Sequence, residues 1–231
     1  VRVLDESRFR EKLIDDLIYT AVFSPDPATS DAAGFLIRRG AAALGIISAS
    51  IQPLYGAMGR RELGGFTVPA INIRGITYDA AQAVFRAAIK GSVGPVLFEI
   101  ARSEMGYTKQ RPLEYACAVT AAAVKSGWHG PIFLQGDHFQ INAKKFAADA
   151  DKETQAVKDL IREAIDAGFY NIDIDSSTLV DLSKPDIKKQ QRDNYDQRAD
   201  VDDAIIKPGE EPHGKARIRD QQEKTHRAGD R

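Results

Sequence analysis

The residues best suited to chemistry in this sequence stand at the ends of apolar runs. The run Pro131–Leu134 leads into Gln135-Gly136-Asp137-His138, and a second run contains Asn171-Ile172-Asp173-Ile174-Asp175. An imidazole beside a carboxylate offers nitrogen and oxygen donors that suit Zn²⁺ or a similar ion. The same pair can equally be a hydrogen-bonded structural corner, and the dipeptide alone does not separate the two. In the second run, alternate residues point to opposite faces of a strand, so Ile172 and Ile174 share one face and Asp173 and Asp175 the other. Two carboxylates on an inner face are costly unless paired, hydrated or metal-bound. They can also serve as loop caps or partners of Arg and Lys. Arg102, Ser103 and Glu104 follow another apolar run and could bind a phosphate or hold a rim together. Asn72 lies within a further run, and Lys144-Lys145 reads as a solvated pair.

The elements that would position these residues alternate in type. Strand-like runs fall at Phe66–Ile73, Pro95–Ile100, Pro131–Leu134 and Tyr170–Ile174. Helical patterns separate them. One carries Ala81, Val84, Phe85, Ala88 and Ile89, another spans about Leu113 to Lys125, and a third carries Val157, Leu160, Ile161, Ala164 and Ile165. The first and third follow i, i+3, i+4, i+7, i+8 spacing, which gives one broad apolar face. Gly168 stands where a C-terminal cap belongs. Four βα units in a row imply a parallel sheet, either part of a (β/α)8 barrel or an open doubly wound sheet. In such sheets the active groups lie at the carboxyl ends of the strands. That rule selects Asp137-His138, the Asp173/Asp175 strand, Asn72 and the segment after Ile100. His129 precedes a strand and falls at the opposite end.

Around this centre the sequence has two flanking zones. Residues 1–64 read as a helical extension, with helices expected at Glu6–Ala21 and about Ser30–Leu44, broken by Ser24-Pro25-Asp26-Pro27. Residues 65–195 hold the βα units. Residues 196–231 are about half charged and contain no Phe, Trp or Tyr, so disorder is expected there. His213 and His226 in that tail lack a strand context and are not expected to be ligands.

Composition narrows the function classes. With 32 Lys and Arg against 33 Asp and Glu, the net charge is −1, so no long-range field favours nucleic acid. No apolar run reaches the roughly 18 residues of a membrane helix. The charged N-terminus does not read as a signal peptide. The one cysteine, Cys117, sits in an apolar helical pattern and reads as a small buried hydrophobe in a reducing, cytoplasmic setting.

Taken as a set, these segments resemble the class II fructose-bisphosphate and tagatose-bisphosphate aldolases. Gly65 to Asn72 looks like their first barrel strand, Gly94 to Glu99 their second, and Pro131 to His138 their third, which ends in Asp-His. Ala167-Gly168-Phe169 through Ile174-Asp175-Ser176-Ser177 looks like their fourth. The match covers about Gly65 to Tyr195. It implies a partial TIM (β/α)8 barrel of about four βα units, a catalytic Zn²⁺ and reversible aldol cleavage of a ketose phosphate. By position, His138 would be a zinc ligand and Asp137 the acid/base. Asp175 would be a second carboxylate for the metal, and Asn72 would contact the bound triose phosphate. Ser103 joins Asn72 as a substrate-binding expectation. The later zinc-binding His residues and glycine-rich phosphate loops of the family have no counterpart here. A prematurely ended or frameshifted reading frame is one expectation. The others are a homo-oligomer or partner chain covering the open sheet edge, a non-catalytic accessory subunit, and an open α/β sugar-phosphate-binding module.

Overall fold

The computed structural model describes residues 1–180 and 183. Its centre is a parallel sheet of four strands in sequence order: β1 (Ala70–Asn72), β2 (Leu97–Ala101), β3 (Phe133–Gln140) and β4 (Asn171–Asp175). In register, Asn72 stands beside Glu99, Glu99 beside Gln135, and Gln135 beside Asn171.

The longer helices form where the sequence predicts them. In chain order they are α1 (Glu6–Arg8), a π-helical turn Phe9–Leu13, α2 (Ile14–Phe23), α3 (Pro27–Ala43) and α4 (Gln52–Gly59). After β1 come α5 (Thr77–Gly91), α6 (Arg102–Thr108) and α7 (Pro112–Lys125). After β3 come α8 (Ala143–Ala148) and α9 (Ala150–Ala167). The cap of α3 is built from two adjacent residues. Asp26 accepts from the Thr29 amide at 3.0 Å, and Pro27 occupies the first turn, where its missing N–H costs nothing. Gly168 ends α9 at φ 102°, the left-handed cap expected for it.

The core has two sides. On the helical side, Phe98, Ile100, Leu134 and Phe139 pack with Phe85, Tyr115 and the apolar stripe Val157–Leu160–Ile161–Ala164. The N-terminal helices belong to this same core. Ile14, Ile18, Ile37 and Ala41 join it, and α2 and α3 lie on α7, whose residues Tyr115–Val124 are all buried. On the other side, Leu97 and Phe133 meet Ile51, Leu54 and Val68, so the segment around α4 covers the amino end of the inner face. Asn171 fastens that segment, accepting from the Ile51 amide at 2.8 Å.

Several boundaries differ from expectation. Only Ala70–Asn72 of Phe66–Ile73 is strand, since this edge strand has one partner, Phe66 is exposed and Pro69 has no N–H to give. The third strand runs past Leu134 to Gln140, because Phe139 and Ile141 are also buried and the Ile141 amide donates to Asp175. The short helices α4, α6 and α8 do not announce themselves, each having only 6–8 residues. Residues 184–195, the tail 196–231 and its two histidines lie outside the described residues. No helix among the described residues is long and apolar enough to cross a membrane.

Candidate metal and anion site

A β-bulge builds the site. Gly136 pairs with Ile172, and the next pair is Phe139 with Ile174, so Asp137 and His138 together oppose the single residue Asp173. His138 takes the conformation this requires, at φ 44°, a region that side-chain-bearing residues seldom enter. The extra residue shifts the pleat by one position. Gly136 and Phe139 therefore both face the helices, and the Phe139 ring lies over the glycine.

The bulge presents Asp137, His138 and Asp173 together, with ligand-capable atoms all within 4.8 Å of one another. Asp137 Oδ2 lies 3.7 Å from His138 Nδ1, too long for a direct hydrogen bond. The His138 side chain is 63% exposed and that of Asp137 22% exposed. Zinc binds nitrogen and oxygen at about 2.0–2.2 Å, so two ligands of one ion lie at most about 4.4 Å apart. A closure of a few tenths of an ångström would let all three residues share an ion. One imidazole and two carboxylates also match the usual count of protein ligands at a catalytic zinc. The donor set thus fits the metal that the resemblance implies.

Asp175 is differently employed. Its carboxylate accepts from Gln140 Nε2 at 2.6 Å and from the Ser177 amide at 2.8 Å. Partial burial opposes its ionisation. The bonds from Ser177 and Gln140 and the nearby His138 outweigh that and hold its carboxyl below the ordinary range. The carboxylate that joins Asp137 and His138 is Asp173, not Asp175.

Two further acids border the site on its inner face: Glu104, which the sequence singled out after the second apolar run, and Glu99, which it did not. Glu99 accepts from Gln135 Nε2 at 3.0 Å. Burial, then the neighbouring charges of Asp137 and Glu104, raise its carboxyl above the usual value against the opposing pull of His138 and Gln135. Glu104 is 7% exposed and accepts from the Ala101 amide at 2.9 Å and from Asn72 Nδ2 at 2.8 Å. Asn72 is thus held by α6, while its Oδ1 is buried without a partner. The register of β2 could have pointed to Glu99, since Leu97, Glu99 and Ala101 alternate with the buried Phe98 and Ile100.

A cavity of about 470 Å³ opens beside His138. Ser103 lies on its wall with Arg102, Arg111, Gln140, Asn142 and Lys145. Arg102 is anchored from behind, where its Nη1 donates to the Gln140 carbonyl at 2.7 Å and to the buried Glu153 at 2.5 Å. Glu153 also accepts from the Asn142 amide at 2.8 Å. His129 is exposed at the other end of β3, away from these groups. Cys117 is buried in α7, and burial pushes its thiol up to about 11, which suits packing rather than reactivity.

The fold and site together define an α/β protein with a parallel sheet and an acid-rich, His-containing carboxyl edge. No protein-family model, curated protein or solved structure matches the chain.

Proposed function

We propose that this chain is a metal-dependent lyase of the class II aldolase type, acting on a ketose phosphate. The observation that carries the reading is the bulge that joins Asp137, His138 and Asp173 at the carboxyl edge of the sheet. The order of the four strands supports it, since all lie parallel and in sequence as a barrel of that family requires.

In this reading His138 and Asp173 hold a zinc-type ion, which would supply Lewis-acid stabilisation of negative charge developing beside a carbonyl. Asp137 faces the same point and accepts the hydroxyl proton at the carbon released from the bond. Glu99, its carboxyl raised by burial, lies close enough to feel the charge of Asp137 and can exchange a proton with substrate oxygen on the inner face. Asn72 Oδ1, buried and unpaired, can accept from a substrate hydroxyl.

The test uses the full chain. Zinc content is measured by metal analysis, and fructose 1,6-bisphosphate and tagatose 1,6-bisphosphate are offered with zinc and with chelator. Stoichiometric zinc and chelator-sensitive cleavage, both abolished in His138→Ala, are expected. Unchanged metal content in His138→Ala would sink the ligand assignment.

A non-catalytic accessory role is the second reading. It is favoured by the four strands of the described sheet, where closed barrels of this type have eight. It predicts zinc binding without turnover.

A further inference from the structure

Helix α3 is apolar on both of its sides. Of its 17 residues only Asp31, Arg38 and Arg39 are charged. Ala33, Gly34, Ile37, Gly40 and Ala41 are buried against the core. The opposite side carries Ala28, Phe35, Leu36 and Ala42, all exposed, Phe35 at 51% and Leu36 at 41%. A surface helix ordinarily turns charge to water, as α9 does with Lys152, Gln155, Asp159 and Arg162. A helix that is apolar all round belongs in an interior. Among the described residues nothing covers the outer side of α3.

The charges that remain show what cover fits. Arg38 is engaged with α9, where its Nη1 donates to the Asp166 carbonyl at 3.4 Å. Asp31 and Arg39 are exposed, and neither makes a hydrogen bond or ion pair among the described residues. They stand one before and one after Phe35, each four positions away. At 3.6 residues per turn, each lies about 40° from the line of Phe35, on opposite sides of it. Ala28 and Ala42 stand seven positions before and after the same residue. The face is thus symmetric about Phe35 in shape and opposite in charge at its two ends.

We propose that this face of α3 is the interface of a homodimer, in which two copies of the helix pack antiparallel about a two-fold axis at Phe35. That operation sets Asp31 opposite Arg39 of the partner subunit, and Arg39 opposite Asp31 of the partner subunit. Phe35 meets its own copy at the axis. Ala28 falls opposite Ala42 of the partner subunit, and side chains of this size let two helix backbones approach closely. The same patch serves both subunits, as a closed two-fold contact requires. A membrane surface is the other cover for an apolar helix face, but helices that lie on membranes surround that face with Lys and Arg. Here one acid balances one base. The face lies outside the segments that resemble the aldolases, so the inference stands apart from the lyase reading.

The experiment is sedimentation velocity of the full chain over a concentration series, repeated for Asp31→Arg, for Arg39→Asp and for an equimolar mixture of the two variants. The parent should show a concentration-dependent monomer–dimer equilibrium. Each variant alone places like charges opposite each other in its own dimer, and its association should weaken about tenfold or more. In the mixture one copy of each variant restores both opposite-charge pairs, so association should return to the parental strength. Both positions are exposed, so neither change threatens the core. A parent that stays monomeric at every concentration would overturn the interface. Variants that dimerise as the parent does, or a mixture no tighter than either variant alone, would overturn the antiparallel register. Binding to phosphatidylglycerol vesicles without a dimer in solution would give the face to a lipid surface and overturn the proposal.

Discussion

The ring of Phe139 covers the α-carbon of Gly136 so closely that a β-carbon there would lie 2.5 Å from the ring. In a regular strand, residues three apart face opposite sides. Here one extra residue in β3 puts both on the helical side, and the same shift turns Asp137 and His138 out opposite Asp173. The packing of a glycine and the assembly of a candidate metal site are consequences of one bulge.

Gly136→Ala should therefore disturb both stability and site. The methyl group meets a buried ring that has little room to retreat, an overpacking cost of about 1–3 kcal/mol. Thermal denaturation should show a lowered midpoint, and zinc affinity should fall in parallel. An unchanged midpoint would mean that the ring moves freely, and the account of the bulge would fail.

The two acids of β4 should behave differently. Asp173→Asn should cost at least tenfold in zinc affinity, by competition against a chelating dye, because it removes one of the two side chains assigned to hold the ion. Asp175→Asn should change zinc affinity far less, because that carboxylate is already engaged by Gln140 and Ser177. The reverse order would return the ligand role to Asp175.

Glu153 should make the fold acid-sensitive. It is 3% exposed. Burial opposes its charge, but the bonds from Arg102 and the Asn142 amide prevail and hold its carboxyl below the ordinary range. A carboxyl with a depressed folded-state pKa adds stability that is fully present above its unfolded value, about 4.3. That stability is lost as pH falls through the lower folded value. Glu153→Gln should lower stability at neutral pH by about 1.5–3 kcal/mol, the range for hydrogen bonds to charged groups. The difference from the parent should shrink as pH drops below about 4. Urea titrations at pH 7 and pH 3.5 measure both effects, and a difference independent of pH would refute the linkage.

Ile37→Ala tests whether the N-terminal helices are part of the core. Ile37 is fully buried in α3 and belongs to the cluster that includes Phe98 and Phe139. The substitution should cost about 2–5 kcal/mol. It should shift one cooperative transition, seen alike by far-ultraviolet circular dichroism and by the fluorescence of Trp128, which contacts Phe85 in the same cluster. Loss of helix signal before the Trp128 signal would show that α1–α3 form a separate unit.

Much of the fold is legible in the residues themselves. Apolar spacing marks α5 and α9, an apolar run marks β2, alternation marks β4, and Gly168 marks the end of α9. Short elements escape because six to eight residues carry too little periodicity. The third strand escapes beyond Leu134 because Gln135-Gly136-Asp137-His138 reads as a loop until the burial of Phe139 and Ile141 is seen.

The sequence by itself determined the parallel βα order, the placing of Asp137-His138 at a strand end and the shared face of Asp173 and Asp175. Those properties depend on local periodicity, which a chain carries wherever it goes. Tertiary structure alone decided that Asp173 meets the pair while Asp175 is engaged by Gln140 and Ser177. It also decided that Arg102, Arg111 and Lys145 border one cavity. The first outcome depends on a one-residue phase shift between neighbouring strands. The second depends on groups from separate loops and helices meeting in space. Both are settled by packing across the sheet, which no stretch of sequence records.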